Sequence, residues 1–124
     1  MTTRAEAEAA LRRIAQLAPG WDSYHSLAID PAILDAAGVL LASLMREVPS
    51  DLAPFICPTP RGGIQLEWHC HEVDVEIDIS TLDEVAFTFV CRSTTNPLLL
   101  VLARAFLGQI MNRRNGRLTY ARIT

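Results

Sequence analysis

Residues 62–79 alternate between apolar and polar side chains, and this alternation constrains the fold more than any other feature of the chain. One set is almost entirely hydrocarbon and comprises Ile64, Leu66, Trp68, Cys70, Val73, Val75, Ile77 and Ile79. The other set is polar and mostly acidic, and comprises Gln65, Glu67, His69, Asp74, Glu76 and Asp78. Because successive side chains of a β-strand point to opposite faces of a sheet, the pattern predicts two strands with one buried face and one acidic face.

A turn at His71-Glu72 would join the two strands into a hairpin and would determine which polar side chains are neighbours. In that register His69 faces Asp74, and Glu67 faces Glu76, with the two glutamate Cβ atoms roughly 5 Å apart. Such a like-charge pair costs stability unless an arginine, a metal ion, a proton or a basic partner surface neutralises it. The simpler interpretation is a solvated polar face on which the carboxylates diverge into water.

Helices are predicted on both sides of these strands. The first covers Thr3–Leu17, is capped by Thr2 or Thr3, and ends at Pro19-Gly20. The second begins at Asp30-Pro31, an N-cap followed by a proline at the first helical position, and continues to about Arg46.

The remaining elements complete an α+β fold in a single domain. We expect an antiparallel three- to four-stranded meander covered by two N-terminal helices and one C-terminal helix. The divisions are a helical pair at 1–48, the sheet at 54–91, the C-terminal helix at 96–113, and a basic tail or short strand at 114–124.

The predicted C-terminal helix, from Leu98 to about Met111, is apolar on nearly all sides. About fourteen residues span only ~21 Å, which is too short for the ~30 Å hydrocarbon layer of a membrane. We therefore expect no membrane span. Because a small domain can hardly cover such a helix within one chain, a homodimer through 98–111 is one way to bury it.

Charge is distributed unevenly along the chain. Residues 61–90 contain one arginine and seven acidic residues, whereas residues 91–124 contain six arginines and no acidic residue. Pairing of the two regions, within the chain or between subunits, is the simplest interpretation. The cluster of Arg113, Arg114 and Arg117 keeps nucleic-acid binding open as an alternative.

The sequence contains no recognisable catalytic or cofactor-binding motif. The three cysteines lack CxxC spacing, and the chain has no phosphate-binding glycine loop and no GxSxG elbow. We therefore expect no metal site and no cofactor. Residues 2–8 carry charges where a signal peptide would be apolar, so a reducing cytoplasm is the expected compartment.

The loop that joins the first two helices contains two aromatic residues, Trp21 and Tyr24, on either side of Asp22. Two large aromatic side chains in a tight turn are typical of a small recognition surface. An equally good interpretation is a connector in which Trp21 plugs the core and Asp22 caps backbone groups.

Two segments together resemble a family of small bacterial proteins of unknown function. Residues 19–24, PGWDSY, are similar to the family's GWDGY loop, and residues 58–69, PTPRGGIQLEWH, are similar to its PTPDGGIQLEWH strand. An acidic strand follows in both cases, here DVEIDI at 74–79. The chain departs from the family at His25 and Ser26 and at the hairpin tip. The resemblance implies that loop and strand belong to one structural unit, and it brings no activity.

Three functions follow from these features. We expect a non-catalytic protein–protein interaction module, such as an antitoxin-like, immunity-like or accessory subunit, that binds through the acidic strands or the aromatic loop. The first alternative is a small metal-dependent or acid–base enzyme that uses Glu67, Glu76 and His69, with Asp74 beside them. The second alternative is nucleic-acid binding through the basic C-terminal segment.

Overall fold

The computed structural model describes residues 2–70, 73–81, 84–91, 101, 104–105 and 116–123. Two helices and five strands have defined bounds: α1 (Arg4–Ile14), α2 (Pro31–Leu44), β1 (Phe55–Pro58), β2 (Ile64–Cys70), β3 (Val73–Thr81), β4 (Glu84–Cys91) and β5 (Gly116–Ile123). The predicted α+β class is confirmed.

The five strands form one sheet in the order β1-β2-β3-β4-β5. Strands β1 to β4 are an antiparallel meander, as predicted. The short strand predicted as one alternative for 114–124 is present as β5, and it pairs with β4 in the parallel direction, which was not predicted. A parallel neighbour cannot be reached by a tight turn.

The helices start where the sequence predicts and end earlier. Thr3 caps α1, and it forms a capping box in which its side chain accepts a hydrogen bond from the Glu6 backbone while Glu6 bonds back to Thr3. Asp30 caps α2 by accepting a hydrogen bond from the backbone nitrogen of Ala32 at 2.9 Å. Helix α1 ends at Ile14 and α2 at Leu44, each a few residues short of the predicted bound.

One face of the sheet packs against α1 and α2 and forms the hydrophobic core. The two helices contribute Ala7, Ile14, Ile33, Ala37, Leu40, Leu41 and Leu44, and the strands contribute the apolar set of the alternating stretch together with Val85, Phe87 and Phe89. The apolar half of the alternation is therefore the buried half, as predicted. The side chain of Cys70 lies outside the described residues.

Three residues of the predicted C-terminal helix, Val101, Arg104 and Ala105, are described, and all three are helical. Ala105 is buried in the same core as the other helices, Val101 packs against it, and Arg104 is exposed. The remainder of the predicted helix at 98–111, and with it the expected dimer contact, lies outside the described residues. Within the described part of the chain, no helix is long and apolar enough to cross a membrane.

The loop between α1 and α2 contains Trp21, Asp22 and Tyr24, and we call it the aromatic loop. It packs directly on the glycine-rich turn before β2. The Leu27 backbone nitrogen donates to the Pro60 carbonyl oxygen at 2.8 Å, and the Asp30 nitrogen donates to the Gly62 carbonyl at 3.3 Å. Gly62 adopts a φ of 89°, and a Cβ there would lie 3.1 Å from the Ala28 carbonyl oxygen. A residue without a Cβ is required at this close approach. The end of the loop, from Leu27 to Asp30, and the turn at 59–63 are thus in direct contact.

Candidate functional site

The polar half of the alternating stretch forms one continuous surface. We call it the acidic sheet face, and it consists of Gln65, Glu67 and His69 of β2 with Asp74, Glu76 and Asp78 of β3. The register confirms the predicted hairpin, since His69 pairs with Asp74, Glu67 with Glu76 and Gln65 with Asp78. The hairpin tip at 71–72 lies outside the described residues.

Less polar residues flank the acidic sheet face on both sides. Phe55 and Cys57 of β1 pair with Glu67 and Gln65, while Thr88 of β4 pairs with Glu76. The carboxylates are therefore concentrated on the two central strands of the meander. Both described helices pack against the opposite face of the sheet.

Hydrogen bonds connect the polar side chains across the two strands. The imidazole of His69 lies between two carboxylates, with Nδ1 3.0 Å from Oδ1 of Asp74 and Nε2 3.4 Å from Oε2 of Glu67. Gln65 does not bond to its register partner but donates from Nε2 to Oε1 of Glu76 at 2.9 Å. Sequence alternation predicts the shared face, but this diagonal bond depends on side-chain rotamers and was not predicted.

Electrostatics shift the pKa values of two of these groups upward. Partial burial raises the pKa of Glu76, and the negative charges of Glu67 and Asp78 raise it further, while His69 opposes the shift. The hydrogen bond to Asp74 raises the pKa of His69 against the opposing effect of burial, and Glu67 adds to the increase. Neighbouring carboxylates contribute to both shifts, so the acidic sheet face carries a negative potential that attracts positive charge.

Cys57 lies beside this face and is half-buried. Burial raises the pKa of its thiol, and the charges of Glu67 and Glu76 act in the same direction. The protonated thiol is therefore favoured over the thiolate at neutral pH.

A small cleft of about 120 Å³ borders the acidic sheet face at Glu67 and His69, at the edge next to Phe55. Pockets for small molecules usually measure ~300–1,000 Å³, so this cleft is too small for most metabolites. A larger groove of about 450 Å³ lies elsewhere, between α1 and β1, and is lined mainly by apolar residues.

Among the described residues, no group of three or more His, Cys, Asp and Glu side chains has an arrangement that could hold a metal ion. His69 contacts one oxygen from each of two carboxylates, but Glu76 is engaged by Gln65 instead. The metal-dependent alternative therefore gains no support from the geometry of Glu67, Glu76 and His69.

The predicted residues of the aromatic loop have separate roles. Trp21 donates from its indole nitrogen to the Leu27 carbonyl at 2.9 Å, and Asp22 accepts a hydrogen bond from the Tyr24 backbone nitrogen at 3.0 Å. This bond, together with the stronger influence of the Ser26 hydroxyl, lowers the pKa of Asp22. Trp21 and Asp22 thus support the loop, while Tyr24 is 81% exposed.

The basic candidates are described only in part. Arg113 and Arg114 lie outside the described residues. Arg117 lies in β5, where its backbone pairs with Ala86 of β4, and nothing further is described of its side chain.

Of the other predicted residues, the structure groups Glu67, His69, Asp74 and Glu76 on one surface. It places Trp21, Asp22 and Tyr24 in a loop next to the start of β2.

Comparison with known proteins gives no match, since no family model, no curated protein and no solved structure is similar to this chain. The resemblance described above therefore stays a likeness of two motifs. Function has to be inferred from the geometry and chemistry of the surfaces.

Proposed function

We propose that this protein is a non-catalytic interaction module that binds a basic protein partner through the acidic sheet face. The observation that carries the proposal is the Glu67–Glu76 pair, two partly exposed glutamates that pair with each other across β2 and β3. Within the described residues, neither glutamate forms an ion pair with an arginine. A partner that supplies the missing positive charge would relieve their repulsion.

The geometry favours an arginine-bearing partner over a small ligand. Cross-strand like charges cost roughly 0.2–1 kcal/mol, and a cation placed between them converts this cost into attraction. The planar guanidinium of arginine bonds to two carboxylate oxygens at once, which suits a pair of glutamates on neighbouring strands. The shallow cleft beside Glu67 is better matched to a side chain than to a whole metabolite.

An accessory subunit, or an antitoxin-like or immunity-like protein, is the class of function that this surface serves. Such proteins act by covering a charged surface of a partner, and they need complementary charge rather than catalytic geometry. A partner encoded beside this protein with a basic surface would fit the proposal.

The experiment uses a synthetic arginine-rich peptide as the probe and measures its affinity by calorimetry at low ionic strength. We expect the double variant Glu67→Gln/Glu76→Gln to bind the peptide about tenfold more weakly than the wild type, because the two central charges are lost. The matched control is Glu47→Gln/Asp51→Asn, which removes two exposed carboxylates outside the acidic sheet face.

Equal weakening in the two double variants would contradict the proposal, since it would show that only net charge matters. Chemical-shift changes confined to β2 and β3 on addition of the peptide would support it. Changes spread over the whole surface would oppose it.

An acid–base enzyme is the second candidate, because the raised pKa of Glu76 next to Glu67 is a property of many general acids. This candidate requires a substrate that reaches both glutamates. It predicts that Glu76→Gln abolishes turnover while it leaves binding of that substrate in place, whereas the interaction module predicts loss of peptide binding.

A further inference from the structure

The aromatic loop also exposes large apolar side chains, and these do not belong to the acidic sheet face. Four large hydrophobic residues are exposed in the described part of the chain, and two of them, Tyr24 at 81% and Leu27 at 57%, lie three positions apart in this loop. Single exposed apolar residues are ordinary on protein surfaces. Two on one short loop, one of them a tyrosine, form a local patch of the kind enriched in binding surfaces.

One residue of the loop, Ser23, has a left-handed backbone conformation. Ser23 has a φ of 67°, and it is the one non-glycine residue with a positive φ in the described part of the chain. This conformation is costly for a residue with a Cβ and persists only when its surroundings enforce it. Here the Ser23 nitrogen donates to the Gly20 carbonyl at 3.0 Å, and the Gly20 nitrogen donates to the carbonyl of the buried Ser26 at 2.8 Å.

An exposed arginine lies on the neighbouring turn. The Leu27 nitrogen bonds to the carbonyl of Pro60, which places Arg61 on the chain segment packed against the loop. Arg61 is exposed, and it forms no ion pair with any other described residue. The carboxylates of Asp22 and Asp30, in the connection between α1 and α2, accept backbone hydrogen bonds from Tyr24 and Ala32.

We propose that Tyr24, Leu27 and Arg61 form a second protein-binding surface, which accepts a partner segment that combines an apolar side chain with a carboxylate. Tyr24 and Leu27 supply apolar contact area, and the free guanidinium of Arg61 supplies a bidentate partner for the carboxylate. The strained loop pre-organises Tyr24, so little conformational entropy is lost on binding. The proposal does not rest on the function of the acidic sheet face and requires the opposite charge on the partner.

The test selects peptides from a phage-displayed random library on the immobilised full-length protein and measures the affinity of purified peptides. We expect the selected peptides to contain an acidic residue next to aromatic or aliphatic residues. Their affinity should fall about tenfold or more for Tyr24→Ala and for Arg61→Glu, because hot-spot residues carry most of the binding energy. Val39→Ala is the matched control, since Val39 is exposed at 67% on α2.

A third variant tests whether the backbone conformation of the loop, and not only direct contact with Tyr24, contributes to the affinity for the peptides. Gly20→Ala removes no exposed apolar group but places a Cβ at a φ of 77° in the same loop, so we expect an unchanged fold by circular dichroism and a several-fold weaker affinity. Peptides that bind Tyr24→Ala and Arg61→Glu as tightly as the wild type would overturn the proposal, and so would a selection that yields no acidic peptides. The variant Glu67→Gln/Glu76→Gln should bind these peptides normally, which distinguishes this surface from the acidic sheet face.

Discussion

Glu76 is a carboxylate of the acidic sheet face whose pKa is raised by its surroundings. Its carboxylate is partly buried, faces Glu67 across the strand pair and lies near Asp78, and all three effects raise its pKa. Its hydrogen bond from Gln65 does not require a negative charge, because the amide of a glutamine could accept the same bond. The upward pKa shift indicates that the negative charge of Glu76 is unfavourable in the folded chain, and the basic partner proposed above would offset that cost.

We predict that Glu76→Gln increases the free energy of unfolding at pH 7 by roughly 0.2–1 kcal/mol, the cost of a cross-strand like-charge pair. The pKa of Glu76 is higher in the folded than in the unfolded state, so its contribution to stability falls as the pH rises through the folded value. The difference between variant and wild type should therefore disappear below about pH 4.5 and reach its full size at neutral pH.

Urea denaturation at a series of pH values measures this difference, and Glu47→Gln, at an exposed position after α2, is the control. A Glu76→Gln variant that is less stable than the wild type at pH 7 would show that the carboxylate contributes favourably to the fold. That result would remove the argument that a basic partner offsets a cost at Glu76.

At the scale of elements, the turn at 59–63 packs closely against the end of β3. A Cβ added to Gly63 would lie 2.5 Å from the Ile79 carbonyl oxygen and 2.9 Å from the Thr59 hydroxyl. The Thr59 nitrogen donates to the Gly63 carbonyl at 2.9 Å, and the Gly63 nitrogen donates to the Thr59 hydroxyl at 3.0 Å. These contacts hold the start of β2 against its neighbours and leave no space for a side chain at Gly63.

We predict that Gly63→Ala destabilises the protein by roughly 1–3 kcal/mol, because backbone atoms of two strands must move apart to accommodate the methyl group. Gly38→Ala is the matched control. An added Cβ at Gly38 meets no atom within 4 Å, and alanine is favoured over glycine inside a helix by roughly 1 kcal/mol. Thermal unfolding of the two variants should therefore shift in opposite directions, and a stabilising Gly63→Ala would contradict the packing of this junction.

Local sequence signals account for most of the described elements. Thr3 and the Asp30-Pro31 pair indicated the starts of α1 and α2 because capping is a local interaction. The ends were less well predicted, since the last helical turn depends on tertiary packing, and α1 stops at Ile14 although Leu17 continues its apolar spacing.

On the scale of the whole molecule, the fold separates two surfaces of different chemistry. The acidic sheet face is formed by the centre of the meander, and the patch of Tyr24, Leu27 and Arg61 is formed where the helix connector meets the turn before β2. The first surface attracts cations through several carboxylates, and the second, as proposed, combines short-range apolar contact with a single ion pair at Arg61. Their responses to salt should differ accordingly.

We predict that raising the ionic strength from low to physiological values weakens binding of the arginine-rich peptide strongly and weakens binding of the loop-selected peptides only slightly. Salt shortens the range of electrostatic attraction to about 8 Å at physiological ionic strength, while apolar burial is not screened. Calorimetric titrations of both peptides over a salt series measure this difference. Equal salt dependence would contradict the assignment of different chemistry to the two surfaces.

The sequence alone was sufficient to predict the hairpin register, the buried and acidic faces, and the pairing of Glu67 with Glu76, because side-chain alternation is a property of the extended backbone itself. Only the tertiary structure showed that β5 runs parallel to β4, since that direction depends on a crossover connection rather than on local pattern. Only the tertiary structure, too, placed Arg61 beside the aromatic loop, through backbone bonds between segments more than thirty residues apart. Contacts of that kind arise from packing, and no local period in the sequence encodes them.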